Sequence, residues 1–138
     1  MPDDDLVPLS ADQLLERTRA LVAACNRLDA ELARTVRRAE VTHAFEVDGM
    51  TSARSWMRGH CRLSPGAAGQ VVRNGRALEQ LPAVAAGHAA GDVTGEQVAV
   101  MSRVVEPENL ARAEALGVDL AGVEATLAPT QPRARTPS

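Results

Sequence analysis

The chain has 138 residues, a formal net charge of -3, 15 basic residues that are all arginine, and only two aromatic side chains, Phe45 and Trp56. Such a length makes a single domain that can bury roughly two-thirds of its unfolded surface. Its 25 alanines point to thin, closely packed helices, because alanine is the strongest helix former and its short side chain lets helix axes approach. Cys25 and Cys61 are too few for a disulfide framework or a structural zinc site, and no apolar run reaches the ~20 residues of a membrane span.

The chain starts Met1-Pro2-Asp3-Asp4-Asp5, acidic where a secretory signal needs positive charge. A cytoplasmic protein with a disordered acidic N-terminus over residues 1–9 is the expectation. Ser10-x-x-Gln13 has the spacing of a reciprocal capping box and opens a long helix, predicted from Ser10 to about Phe45. Within it Leu14, Thr18, Leu21, Cys25, Leu28 and Leu32 recur at alternating steps of four and three, continued less cleanly by Val36 and Ala39. That spacing keeps one seam facing a partner helix. The partner is expected to be the chain's own domain, and the alternative is a homodimer through this N-terminal helix.

Asp48-Gly49 breaks the long helix, and Thr51 or Ser52 caps the next, whose apolar positions include Ala53, Trp56 and Met57. Arg54, Arg58 and Arg62 are four apart, so they are predicted to form one stripe away from Trp56. Ser64-Pro65 ends that element and restarts the chain as a third helix towards Leu81, because serine caps free amides and proline tolerates the first helical position. On this helix Ala68, Val71, Val72, Gly75 and Leu78 are expected inside, with Gly69, Gln70, Arg73, Asn74 and Arg76 outside. Gly66, Gly69 and Gly75 each cost on the order of 1 kcal/mol in a helix interior. Close backbone approach, to phosphate at Gly66 and Gly69 and to a crossing helix at Gly75, supplies a reason. An alanine-rich helix to about Ala90 follows. Thr94-x-x-Gln97, a second capping box, opens a helix through Val105, and Glu106-Pro107 starts another that ends near Gly117. A further weak helix is expected over Asp119 to Leu127, and the proline-spaced residues 128–138 read as a disordered tail.

From Gly49 to Leu78 the chain carries five arginines (Arg54, Arg58, Arg62, Arg73 and Arg76) and no acid. A concentrated positive field in an acidic chain points to a polyanion. In a helix-turn-helix the first helix of the pair crosses the backbone and the second reads the major groove. Arg54, Arg58 and Arg62 are then expected to position phosphates, while Gln70, Arg73 and Asn74, with Arg76 beside them, reach towards base edges. The bland reading is a solvated helix face whose arginines pair with Glu40, Glu46 or Asp48.

The run Asp48-Gly49-Met50-Thr51-Ser52-Ala53-Arg54-Ser55-Trp56-Met57, then Leu63-Ser64-Pro65-Gly66-Ala67-Ala68, Ala77-Leu78-Glu79-Gln80-Leu81-Pro82 and Gly91-Asp92-Val93-Thr94-Gly95-Glu96-Gln97, resembles the 13E12-repeat family. These are actinobacterial proteins with a DUF222 domain, commonly ahead of a C-terminal HNH nuclease domain. Ser64 through Gln97 is also similar, more weakly, to the helix-turn-helix of ParB-type DNA-binding proteins. The resemblance covers Leu14 to Val105. It implies a DNA-binding module that resembles the front half of a family member, whether a truncated, partial or genuinely short form. The nuclease itself is not implied here: His43, His60 and His88 are the only histidines, and none has the His-Asn-His or Cys-x-x-Cys context of a catalytic metal.

The reading is therefore an all-α, single bundle-like domain of about five helices over residues 10–127, with a long N-terminal helix and a helix-turn-helix core. Its expected function is non-catalytic duplex DNA binding, with no cofactor, no metal and no membrane. The alternative is a helical protein-protein interaction or dimerisation module in which the arginines only meet acidic neighbours.

Overall fold

The computed structural model describes residues 5–117 and residue 124. The tail 128–138, residues 1–4 and all but one position of the helix expected over 119–127 lie outside the described residues. Six α-helices and no strand occur among them: α1 Ala11–Val41, α2 Ala53–His60, α3 Pro65–Gln80, α4 Pro82–Ala90, α5 Gly95–Val104 and α6 Pro107–Ala115. The all-α fold with a long N-terminal helix is thus the observed one.

Local chemistry sets the boundaries. Both expected capping boxes form, Ser10 with Gln13 and Thr94 with Gln97. Each side-chain oxygen accepts the third amide while the glutamine returns to the cap's own N–H, so two free donors are satisfied at once. Ser52 Oγ and Ser64 Oγ take the Ser55 and Ala67 amides at 3.1 Å. Residues 5–8, part of the expected disordered start, make a turn closed by the Leu9 N–H on the Leu6 carbonyl.

The long helix stops earlier than predicted. It ends at Val41; His43 then turns left-handed at φ 58°, and Ala44–Asp48 form a 3-10 helix before Gly49 at φ 75°. His43 begins this break five residues before Asp48-Gly49, and no local sequence cue marks it.

Helix α3 is the axis of the bundle, packed against α1, α2, α4 and α5. Its first half joins Val36 of α1 with Ala53 and Met57 of α2 through Ala68 and Val72, with Phe45, Trp56 and Leu63 at the edge. Its last turns reach a second cluster through Ala77, with Leu81, Val84, Val93, Val98, Met101 and Val105. Small residues carry the helix crossings, as the alanine content implies. Helices α1 and α3 cross closely at Gly75: a Cβ there would sit 2.8 Å from the Ala33 carbonyl oxygen and 3.1 Å from Arg37 Cβ. The predicted crossing at Gly75 is the observed one.

The buried face of α1 is not the leucine seam that was expected, although Val36 and Ala39 at the seam's end do turn towards the domain. The helix buries Asn26, Ala30, Ala33 and Val36 against the domain, a face roughly a quarter turn from the leucines. Leu14, Leu21, Leu28 and Leu32 are exposed, Leu28 by 68%. Period alone locates an apolar stripe but not the neighbour that covers it; the small face won here because alanines let α1 approach α3 and α4 closely.

Candidate nucleic-acid interface

Helix α2 is eight residues long and turns Ala53 and Met57 into the core, which leaves Arg54 and Arg58 on its exposed side. Trp56 is half-buried at the edge of the core. Its ring lies 4.8 Å from His60 in a stacked arrangement and 5.5 Å from Phe45, and its Nε1 donates to Asp48 Oδ2 at 2.7 Å. Asp48 is thereby engaged by an indole rather than by an arginine.

Arg62 does not continue the stripe. The helix ends at His60 and is capped at Cys61, whose N–H donates to the Met57 carbonyl, and Arg62 takes the left-handed conformation at φ 59°. An arginine pays about 1 kcal/mol in that region, where glycine would not. Arg62 is exposed at the turn between α2 and α3, so three guanidinium groups still leave from α2 and its end, but by two different backbone geometries.

Arg54 reaches across to α3. Its guanidinium lies over Gly69, where a Cβ would overlap Nη2 and stand 3.1 Å from Cζ and Nε. Gly69 is buried, not outward-facing, and the close approach that it permits is to an arginine rather than to phosphate. Among the described residues nothing lies within 4 Å of a Cβ position on Gly66. Arg73 lies one turn beyond Gly69 on the same side of α3, half-buried, with Nη2 donating to Gln70 Oε1 at 3.0 Å.

Gln70 and Asn74 were placed among the outward, base-reading residues, and the structure turns them elsewhere. Both are half-buried, with Gln70 Nε2 donating to Asn74 Oδ1 at 2.6 Å and to Ser102 Oγ of α5 at 3.3 Å. They line a groove of about 530 Å³ between α1, α3 and α5, whose walls also include Asp29 and Glu96. Acid-lined and already bonded, this groove does not suit phosphate. The cause is that α5 packs on α3 more heavily than an isolated helix pair would predict, so α3 has no free reading face.

Arg76 is neutralised. Its Nη2 meets Glu40 Oε2 at 2.6 Å, and Arg37 donates from Nε to Glu79 Oε1 at 2.8 Å and lies 3.4 Å from Glu40. These two arginines and two glutamates clamp α1 to α3 beside Gly75. Burial alone would pull the Arg37 guanidinium down, but the hydrogen bonds and charges of Glu79 and Glu40 outweigh it and raise it above its ordinary value. Glu40 was a foreseen partner for the arginine stripe; it takes Arg76 of α3 instead. Among the described residues Arg54, Arg58 and Arg62 have no carboxylate within 4 Å.

No group of three or more histidines, cysteines or acids fit to hold a metal ion occurs among the described residues, and no described helix is long and apolar enough to cross a membrane. What remains is an all-α domain in which Arg54, Arg58 and Arg62 are exposed and have no carboxylate partner among the described residues. The chain belongs to the 13E12-repeat family: residues 14–136 match the family described as Domain of unknown function (DUF222). No curated protein and no solved structure matches it. The weaker likeness to the ParB-type helix-turn-helix gains no support from these comparisons, and the enclosure of α3 gives it none.

Proposed function

We propose that the domain is a non-catalytic module that binds the backbone of duplex DNA through α2 and the turn after it, and so holds an attached HNH nuclease domain on its substrate. The observation that carries this reading is the trio Arg54, Arg58 and Arg62, exposed and without a carboxylate partner among the described residues. An arginine kept at positive φ is a backbone cost retained at a surface, and such costs collect where a side chain has a role beyond folding. With Gln70 and Asn74 turned into the acidic groove, the contacts are to phosphate, and binding is expected to be largely independent of sequence. Three phosphate contacts give log affinity a slope of about -2.7 against log salt. Fluorescence anisotropy on a short duplex, titrated at several ionic strengths, tests this. Absence of binding at about 50 mM salt, or a slope unchanged by Arg58→Glu, would overturn it.

A second reading, a helical interaction module, is favoured by the uncovered apolar seam of α1.

A further inference from the structure

The exposed side of α1 rests on that second reading and can be taken further. No residue from Ala11 to Val22 is buried, whereas the domain body packs on α1 from Ala23 onward. The first half of the helix therefore stands bare for ~18 Å. Along it and into the second half runs the seam, in which Leu21 is 54% and Leu28 68% exposed. Thr18 belongs to the seam without a polar cost, because its Oγ1 already donates to the Leu14 carbonyl at 2.8 Å and its methyl is free.

The six seam positions are symmetric about residue 23. Laid antiparallel on a second copy about that point, Leu14 faces Leu32, Thr18 faces Leu28, and Leu21 faces Cys25, and the twofold repeats the three layers. Each bare half then lies beside the clothed half of the other copy, with the two bodies at opposite ends. The flanking charges agree with this direction. Arg17 comes beside Glu31 of the second copy, twice, and the small Ala24 meets its own twin at the centre. Glu31 is held in the monomer only by an exposed contact to Arg34 at 2.6 Å, the kind of pair that exchanges at little cost. In the parallel direction Arg17 would instead lie beside Val22 and Glu31 beside the buried Val36, with no ion pair. We propose that a second copy of this chain covers the seam, as an antiparallel α1–α1 homodimer centred on residue 23. Because α1 is already folded within the domain, two and a half heptads need not supply the cost of helix nucleation.

Sedimentation equilibrium of the full chain, with Cys61→Ser to remove the other thiol, reads the assembly directly. A dimer is expected that Leu21→Asp weakens by at least ~100-fold, since a carboxylate would enter an apolar layer; the monomer's fold, read by circular dichroism, stays unchanged because Leu21 is exposed there. Arg17→Glu and Glu31→Arg should each weaken the dimer ~5-fold, and together restore it, two exposed pairs being worth about 1 kcal/mol. Direction is read by oxidation. Cys25 alone should not cross-link, whereas Leu21→Cys with Cys25 present should give a covalent dimer. Cross-linking through Cys25 alone, or no rescue in the charge-swapped pair, overturns the antiparallel register while leaving a paired seam. A monomer at every concentration overturns both that register and the second copy as the occupant.

Discussion

Replacing Gly75 by alanine sets two effects against each other, and the structure decides the sign. In an isolated helix the change would stabilise by about 1 kcal/mol, because glycine is the costlier residue in a helix interior. Here the new Cβ would lie 2.8 Å from the Ala33 carbonyl oxygen and 3.1 Å from Arg37 Cβ. The first is backbone, so α1 must move away rather than a side chain rotate. That movement loosens the Arg37–Glu79 contact beside it as well. Overpacking of this kind costs about 1–3 kcal/mol, and the net expectation is a loss of about 1 kcal/mol, or ~3 °C in melting temperature for a domain of this size. Gly66→Ala is the internal control: its Cβ meets nothing within 4 Å among the described residues, so about 0.5 kcal/mol should be gained, less than the full propensity difference because the site is in the first turn. Urea unfolding followed at 222 nm measures both. Since the clashing atom is a carbonyl oxygen, Ala33→Gly should not rescue Gly75→Ala. If the two glycine variants stabilise alike, α1 does not cross α3 at Gly75 and the packing argument fails.

Gly91→Ala should be more damaging than Gly75→Ala. Gly91 has φ 92° and its Cβ would meet the Ala23 carbonyl oxygen at 2.9 Å, so a loss of at least ~2 kcal/mol is expected by urea unfolding. Arg62→Gly should do the opposite, raising stability by about 1 kcal/mol through relief at φ 59° while lowering duplex affinity at low salt; reduced stability would show that the left-handed turn is not populated. Glu40→Gln removes the charge shared by Arg37 and Arg76. It is expected to cost ~1 kcal/mol and to steepen the salt dependence of DNA binding by about 0.9, because Arg76 becomes free to contact a phosphate; an unchanged slope places Arg76 off the bound surface. His88 is buried on α4, with Nδ1 on the Val93 carbonyl at 2.8 Å and Nε2 without a partner among the described residues, so His88→Ala should lose ~3 kcal/mol to the cavity and the lost hydrogen bond.

The elements whose ends are set by local hydrogen bonding were legible in the sequence, and the faces set by distant neighbours were not. Ser10, Ser52, Ser64 and Thr94 each announce a helix start because the oxygen and the amide that it accepts are three residues apart. Gly75 was readable as a crossing because a glycine in a helix interior needs a compensating contact. Nothing comparable marks Gln70 and Asn74: their polarity suits a solvent face, a base edge or a half-buried network equally, and only the arrival of Ser102 from α5, 32 residues later in the chain, selects the last. Arg76 differs from Arg58 in the same way, by the approach of Glu40 from α1 rather than by anything adjacent in sequence. The arginine island thus divides by depth in the bundle. The arginines carried by α3 lie within reach of other elements and are drawn into internal networks, while those on short, peripheral α2 are left to solvent. A charge cluster becomes a surface only where the fold brings no counter-charge to it. That condition holds at Arg54, Arg58 and Arg62 among the described residues, and it is on those three side chains that the DNA-binding proposal stands.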